Sequence, residues 1–263
     1  MSLEINYRTY GQPPYKIAVL HGGPGAPGYM APVARELSNL TGVLEPLQTK
    51  DSLDGQIAEL NRQLTNLSDT PVTLIASSWG VILALFLAAE HNSIVQKLIL
   101  IGSAVFDAAS SAKITPLRLS RLSETERRQY DTIMLQLENA PSQERNELMK
   151  QWGRLLDGTD MYDPISTDTE IIEVQYELYA KVWSDFIALR DRPDYLKNKF
   201  SEIKLPVTII HGEFDPHPID GIRPFLESCL TDTHFYILPK CGHYPWLERH
   251  AKERFYDILG KEI

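Results

Sequence analysis

Long hydrophobic runs are missing from this sequence: the longest, Val81 to Ala89, falls far short of the roughly 20 residues that span a bilayer. Cysteine is nearly absent too. Cys229 and Cys241 stand alone, make no disulfide framework, and have a spacing that fits no common zinc pattern. Positive charge is in deficit, with a formal charge of −9. The densest basic stretch, Glu124-Thr125-Glu126-Arg127-Arg128, is mixed in sign. A nucleic acid or an anionic membrane surface is therefore not expected as a partner. Met1 to Tyr10 lacks the basic, apolar and small-residue succession of a secretory signal. A cytoplasmic protein with no metal and no cofactor is the expectation. No internal repeat or low-complexity segment is present.

What remains is an alternation of short β-branched runs with helical patterns. Lys16–Leu20, Val43–Leu47, Val72–Ala76, Val95–Ile101, Val207–Ile210 and His234–Leu238 read as strands. Glu4 to Tyr10 is strand-like as well. Helices are expected around Ile57–Leu67, Val81–Glu90, Ile219–Leu230 and Trp246–Leu259. Such alternation predicts an α/β fold with a mostly parallel central sheet covered by helices on both faces. Between about 106 and 195 the strands stop. Ser123-x-x-Glu126 and Thr167-x-x-Glu170 are capping boxes, the second opening a long helix from Glu170 to Leu189. Residues 1–105 and 196–263 are thus expected to form the core domain, and 106–195 a helical cap.

Chemistry-bearing residues fall just beyond strand ends. Leu74-Ile75-Ala76-Ser77-Ser78-Trp79-Gly80 runs from a strand into a helix. A nucleophile on so sharp a turn needs small neighbours two residues to either side. Ser78 has Ala76 and Gly80; Ser77 has Ile75 and Trp79, which would clash. Ser78 is the candidate, set against the alternative that either serine merely caps the helix. His21-Gly22-Gly23-Pro24-Gly25 follows another strand, and its glycines let backbone N–H groups approach a developing oxyanion. As a phosphate cradle the loop is poorly equipped, because Pro24 and Pro27 lack N–H groups and no Lys-Ser/Thr follows. Asp215 follows the Val207 strand and His243 follows the His234 strand. In a parallel sheet those ends share one edge, so the order Ser78, Asp215, His243 can converge. Glu45 is a second candidate acid, and His211, Asp215 and His217 have the residue types of a metal site.

With these motifs the chain resembles the α/β-hydrolases over nearly its whole length. The His-Gly-Gly-Pro-Gly loop and the Ser-Trp-Gly elbow resemble the proline iminopeptidase branch in particular. The resemblance implies Ser78 as nucleophile, Asp215 as acid and His243 as general base, with an oxyanion hole from the N–H groups of Gly23 and Trp79. Where iminopeptidases carry an Asp-x-Arg-Gly-x-Gly-x-Ser stretch, this chain reads Glu-Pro-Leu-Gln-Thr-Lys-Asp-Ser-Leu-Asp-Gly-Gln, which leaves prolyl specificity open.

In the helical insertion, Ile172, Tyr176, Tyr179, Trp183 and Phe186 make a largely aromatic stripe, read as core or as pocket lining. Glu170, Glu173 and Glu177 make a neighbouring acidic stripe, a solvated face or an anchor for a substrate ammonium. Glu173, Glu177, Tyr176 and Trp183 are the substrate-contact candidates. The expected activity is that of a serine hydrolase acting on a small-molecule ester, an amide or a short peptide through an acyl-enzyme, with an aminopeptidase as one branch. A carboxylesterase or thioesterase is the alternative, and a non-catalytic binding protein on the same fold is the competing class.

Overall fold

A computed structural model describes residues 6–68, 71–167 and 170–263. Seven strands form one sheet: β1 (Tyr7–Tyr10), β2 (Tyr15–Leu20), β3 (Gly42–Pro46), β4 (Val72–Ser77), β5 (Val95–Ile101), β6 (Val207–Gly212) and β7 (Thr233–Leu238). Their spatial order is β1-β3-β2-β4-β5-β6-β7. All neighbours are parallel except β1, which pairs with β3 antiparallel at the edge. The mostly parallel sheet expected from the alternation is the one observed. The strand order reverses between β2 and β4, so their carboxyl ends frame a crevice.

Central strands buried on both faces should be apolar throughout, and β4 is buried at every position. Successive side chains still face opposite ways. Ala18, Leu20, Leu74, Ala76, Leu98, Leu100 and Ile209 join one core. This core packs under α2 (Leu53–Leu67) and α3 (Trp79–Glu90). Ile17, Val19, Ile75, Ile99, Ile101 and Ile210 join the other, with α1 (Ala31–Leu37) and α10 (Lys252–Glu262). Helix α3 is apolar all round because it is covered on every side.

Between β5 and β6 lie α4 (Ala108–Arg121), α5 (Glu124–Asn139), α6 (Ser142–Asp160), α7 (Tyr176–Arg190) and α8 (Pro193–Phe200). The capping box at Ser123 is formed, with the Ser123 hydroxyl accepting from Glu126 N–H and the Glu126 carboxylate accepting from Ser123 N–H. Helix α9 (Arg223–Cys229) follows β6. Among the described residues no helix is long and apolar enough to cross a membrane.

Three helix boundaries differ from expectation. The helix expected from Glu170 begins at Tyr176. Asp168 and Thr169, inside the expected capping box, lie outside the described residues. The N–H groups of Ile172 and Gln175 bond Pro27 O (2.9 Å) and Gly25 O (2.7 Å). Glu170 adopts a positive φ of 53°, and its carboxylate receives Arg35 Nη1 at 2.9 Å. Residues 170–175 are therefore a strap along the 21–28 loop, because that loop supplies the acceptors a helix would have supplied. The acidic stripe therefore breaks between Glu173 and Glu177, whereas the aromatic stripe loses only Ile172. The helix expected over Ile219–Leu230 splits into a 3₁₀ turn (Ile219–Gly221) and α9, since Pro224 lacks the N–H that continuity needs. The helix expected from Trp246 starts at Lys252, because Pro164 and Glu248 form a β-bridge instead.

Packing is tight where α3 crosses the end of β2. A Cβ on Gly80 would stand 2.6 Å from Leu20 O and 2.8 Å from His21 O. Gly158, in α6, has no atom within 4 Å of such a Cβ. We expect Gly80→Ala to destabilise the fold by at least about 2 kcal/mol through overpacking. Gly158→Ala should stabilise it by about 0.5–1 kcal/mol through helix propensity. Urea unfolding of the two variants would check the opposite signs.

Candidate active site

The turn after β4 is a sharp elbow. Ser78 holds φ 53° and ψ −115°, α3 begins at Trp79, and Ser78 N–H bonds Ile101 O at 2.9 Å. A non-glycine residue in that region is strained and persists only where its surroundings over-determine it. The Ser78 side chain makes no cap bond to α3 and is partly exposed. Ser77 is fully buried in β4, and its Oγ accepts from the Tyr29 hydroxyl at 3.3 Å.

The 21–28 loop lies directly across from this elbow. A Cβ on Gly22 would fall 2.6 Å from Ser78 Cβ and 1.9 Å from the Tyr29 hydroxyl, so only glycine admits this approach. Gly23 takes φ 46° and closes a turn in which Ala26 N–H bonds Gly23 O at 2.8 Å. His21 anchors the loop. Its Nδ1 pairs with Gly22 O at 2.8 Å and its Nε2 with Gln48 N–H at 3.4 Å. Burial lowers its pKa to about 4, so the ring is neutral: Nδ1–H donates and Nε2 accepts. Gly23, Ser78 and Trp79 line one cavity. Among the described residues, the N–H groups of Gly23 and Trp79 donate to no protein acceptor; Trp79 is the first residue of α3, where helix amides lack partners.

Asp215 and His243 meet at the same sheet edge. His243 Nδ1 lies 2.7 Å from Asp215 Oδ2, and His243 lines the cavity with Ser78. The other oxygen, Oδ1, accepts from His217 N–H at 2.9 Å and pairs with His217 Nδ1 at 2.7 Å. His211 Nδ1 stands 3.9 Å from Oδ2. Burial alone would raise the Asp215 pKa, but the three imidazoles outweigh it and hold the carboxyl well below the usual range. Burial alone would likewise lower the pKa of His243. The facing Asp215 carboxylate reverses that and leaves it raised. His217 and His211 are depressed, chiefly by burial.

The metal reading needs correction in its membership. The metal alternative took His211, Asp215 and His217, whereas among the described residues it is Asp215, His217 and His243 whose donor atoms lie within 4.8 Å of one another. Both close Nδ1 atoms in that group are already spent on separate Asp215 oxygens, which suits proton chemistry better than metal ligation. Glu45 does not approach His243: fully buried, its Oε2 accepts from Arg8 Nε at 2.8 Å and from the Tyr10 hydroxyl at 2.7 Å.

The cavity has a volume of about 540 Å³. Trp152, Tyr179 and Trp183 form an aromatic wall running to Trp79, with Tyr179 stacked on Trp183 at 6.4 Å. A polar wall holds Arg118, Asp157, Asp160 and Tyr244. Arg118 is committed to Asp160 (2.8 and 2.5 Å), while Asp157 accepts only the Tyr244 hydroxyl at 3.0 Å among the described residues. Of the expected substrate contacts, Glu173 and Trp183 line the cavity. Tyr176 and Glu177 stand outside that lining: Glu177 pairs with Arg145 at 3.1 Å, whose guanidinium sits 5.4 Å over the Tyr176 ring. Phe186 is core. Sequence reasoning missed Asp157, Trp152, Arg118 and Tyr29. Tyr244, next to His243, was open to inference; Asp157 on an unremarkable helical pattern was not.

The model of the alpha/beta hydrolase fold family matches residues 17–249. No curated protein sequence matches the chain. Among solved structures it is similar to VinJ, with a TM-score of 0.66 and 18% identity over 97% of this chain and 93% of that one. It is also similar to the enol-lactonase from Burkholderia xenovorans LB400, with a TM-score of 0.63 and 18% identity over 97% and 94%. A third is the proline iminopeptidase of Mycobacterium smegmatis, with a TM-score of 0.61 and 16% identity over 97% and 93%. At these identities the likeness is one of fold.

Asp157 generates a stability prediction. Burial chiefly, with nearby Asp160 adding to it, raises its pKa from 3.8 to about 6, although the Tyr244 hydrogen bond opposes this. A raised pKa means stability fully present below the unfolded value and lost as pH rises through the folded one. Asp157→Asn should therefore raise Tm near neutral pH, with the gain vanishing around pH 4. Thermal unfolding at both pH values checks this, and a pH-independent difference would refute it.

Proposed function

The chain belongs to the alpha/beta hydrolase fold family, and from that premise we propose that it is a serine hydrolase working through an acyl-enzyme. Ser78 is the nucleophile, His243 the general base and Asp215 the residue that orients the imidazole. The observation that carries this reading is the 2.7 Å contact of His243 Nδ1 with Asp215 Oδ2, at a cavity whose lining includes the elbow serine. With Nδ1–H committed to Asp215, Nε2 is the basic nitrogen. It takes the Ser78 proton as Oγ attacks the scissile carbonyl, then returns it to the leaving group. Asp215 stays ionised and stabilises the imidazolium between those events. The N–H groups of Gly23 and Trp79 receive the oxyanion, and their lack of other acceptors among the described residues supports that role. No cofactor is required by these steps.

Residues 106–195 are proposed as a cap over a core formed by 1–105 and 196–263, and they set the substrate. The small cavity favours a small ester, amide or short peptide. An aminopeptidase reading is favoured by one observation: Asp157 and Glu173 line the cavity, and Asp157 lacks a cationic partner among the described residues. The His-Gly-Gly-Pro-Gly loop and the fold likeness to a proline iminopeptidase point the same way. The likeness to an enol-lactonase favours the esterase alternative.

Fluorophosphonate labelling tests the assignment. Ser78→Ala should abolish labelling in a folded protein; a labelled variant overturns it. Asp215→Asn should lower turnover by about 10⁴-fold, as expected when the imidazole loses its correct tautomer. Because the His243 pKa is raised above 6.5, kcat/KM should fall with acid along a limb centred above that value. Esters and aminoacyl-naphthylamides assayed side by side would separate the two substrate classes.

A further inference from the structure

Glu248 is a fully buried carboxylate that the proposed chemistry does not use. It lies five residues beyond His243, where the chain leaves the 3₁₀ turn Pro245–Leu247. Three main-chain N–H groups converge on it. Gly242 N–H and Tyr162 N–H donate to Oε1 at 2.8 and 2.7 Å. Asp163 N–H donates to Oε2 at 2.8 Å. The donors come from two separate stretches: Gly242 directly precedes His243, and Tyr162 and Asp163 are the chain leaving α6. Around this centre the same two stretches are laced by His243 N–H to Asp160 O (2.7 Å), Ile165 N–H to Leu247 O (2.7 Å) and Arg249 N–H to Asp163 O (3.0 Å).

We infer that Glu248 is a positioning residue, whose carboxylate clamps the His243 loop to the end of α6 and thereby sets where the imidazole stands in the cavity. The inference rests on the serine hydrolase reading. The chemistry explains the residue type. Charge-assisted bonds from backbone N–H to a carboxylate are strong and geometrically defined. Three converging donors need a side chain with acceptors only, which glutamate supplies and glutamine does not. The helix end held by the clamp also carries Asp157 and Asp160, which line the cavity. The wall that meets the substrate and the base that activates the serine are thus fixed to one group.

The test measures the rate of fluorophosphonate reaction at Ser78 per folded molecule, together with ester kinetics. Glu248→Met removes all three acceptors and should lower the labelling rate and kcat by about 100-fold, the loss expected of a misplaced base, with KM little changed. Glu248→Gln can keep one oxygen toward Gly242 and Tyr162 and lose only Asp163, so its loss should be smaller but measurable, about tenfold. The downfield imidazole proton of His243 should shift or broaden in both. Glu262, which holds Lys97, Thr208 and Tyr236 far along α10, is the control: Glu262→Gln should lower Tm and leave the rate constant unchanged. A folded Glu248→Met with a wild-type labelling rate and imidazole proton overturns the inference. If that variant does not fold, an unperturbed Glu248→Gln overturns it. Absence of labelling at Ser78 in the wild type would instead overturn the hydrolase reading beneath it.

Discussion

The first turn of α3 lies against the carbonyl groups that end β2, closely enough that position 80 has room for a hydrogen and nothing more. That contact can form only if the chain turns from β4 into α3 within a single residue. The turn is what places Ser78 in a strained backbone conformation. Because β2 and β4 are neighbours at the strand-order reversal, the same contact sets the 21–28 loop beside the serine. Closely packed interiors transmit such demands instead of absorbing them. The elbow, the approach of Gly22 and the amides of Gly23 and Trp79, which find no acceptor among the described residues, are consequences of one crossing.

The second organising element is electrostatic. Asp215 is buried, which would favour its neutral form, yet three imidazoles keep it ionised. Only His243 and His217 reach hydrogen-bond distance, one on each oxygen. His243 in return is the one histidine of the group whose protonated form is favoured. Neutral His211 and His217 supply polarity without adding charge, so one anion and one potential cation share a buried site.

The sheet was legible because its strands are continuous apolar runs bounded by glycine and proline, and their carboxyl ends carry the polar residues. The proximity of Asp215 to His243 followed from that topology. Small neighbours at Ala76 and Gly80 separated Ser78 from Ser77 by a steric argument that needs no tertiary information. The inserted region was less readable. Helical spacing placed Glu170, Glu173 and Glu177 on one face, but backbone acceptors at Gly25 and Pro27 held 170–175 out of a helix. No local pattern announces an acceptor 150 residues away in the chain. Asp157 was invisible for a related reason: beside neighbouring Asp160, its environment is assembled from Tyr244 and Arg118, which are remote in sequence.

The strap at 170–175 has a consequence for how such a molecule can diversify. Its hydrogen bonds run to Gly25 and Pro27, in the same short loop that carries Gly23. Insertions or deletions that remodel the pocket entrance there would tug on Gly23, which lines the cavity beside Ser78. Lineages exploring new ligands at this wall are confined to exchanging side chains while preserving strap length. Freer remodelling is left to α5 and the start of α6, since the end of α6 is itself tied to the His243 loop through His243 N–H and Asp160 O.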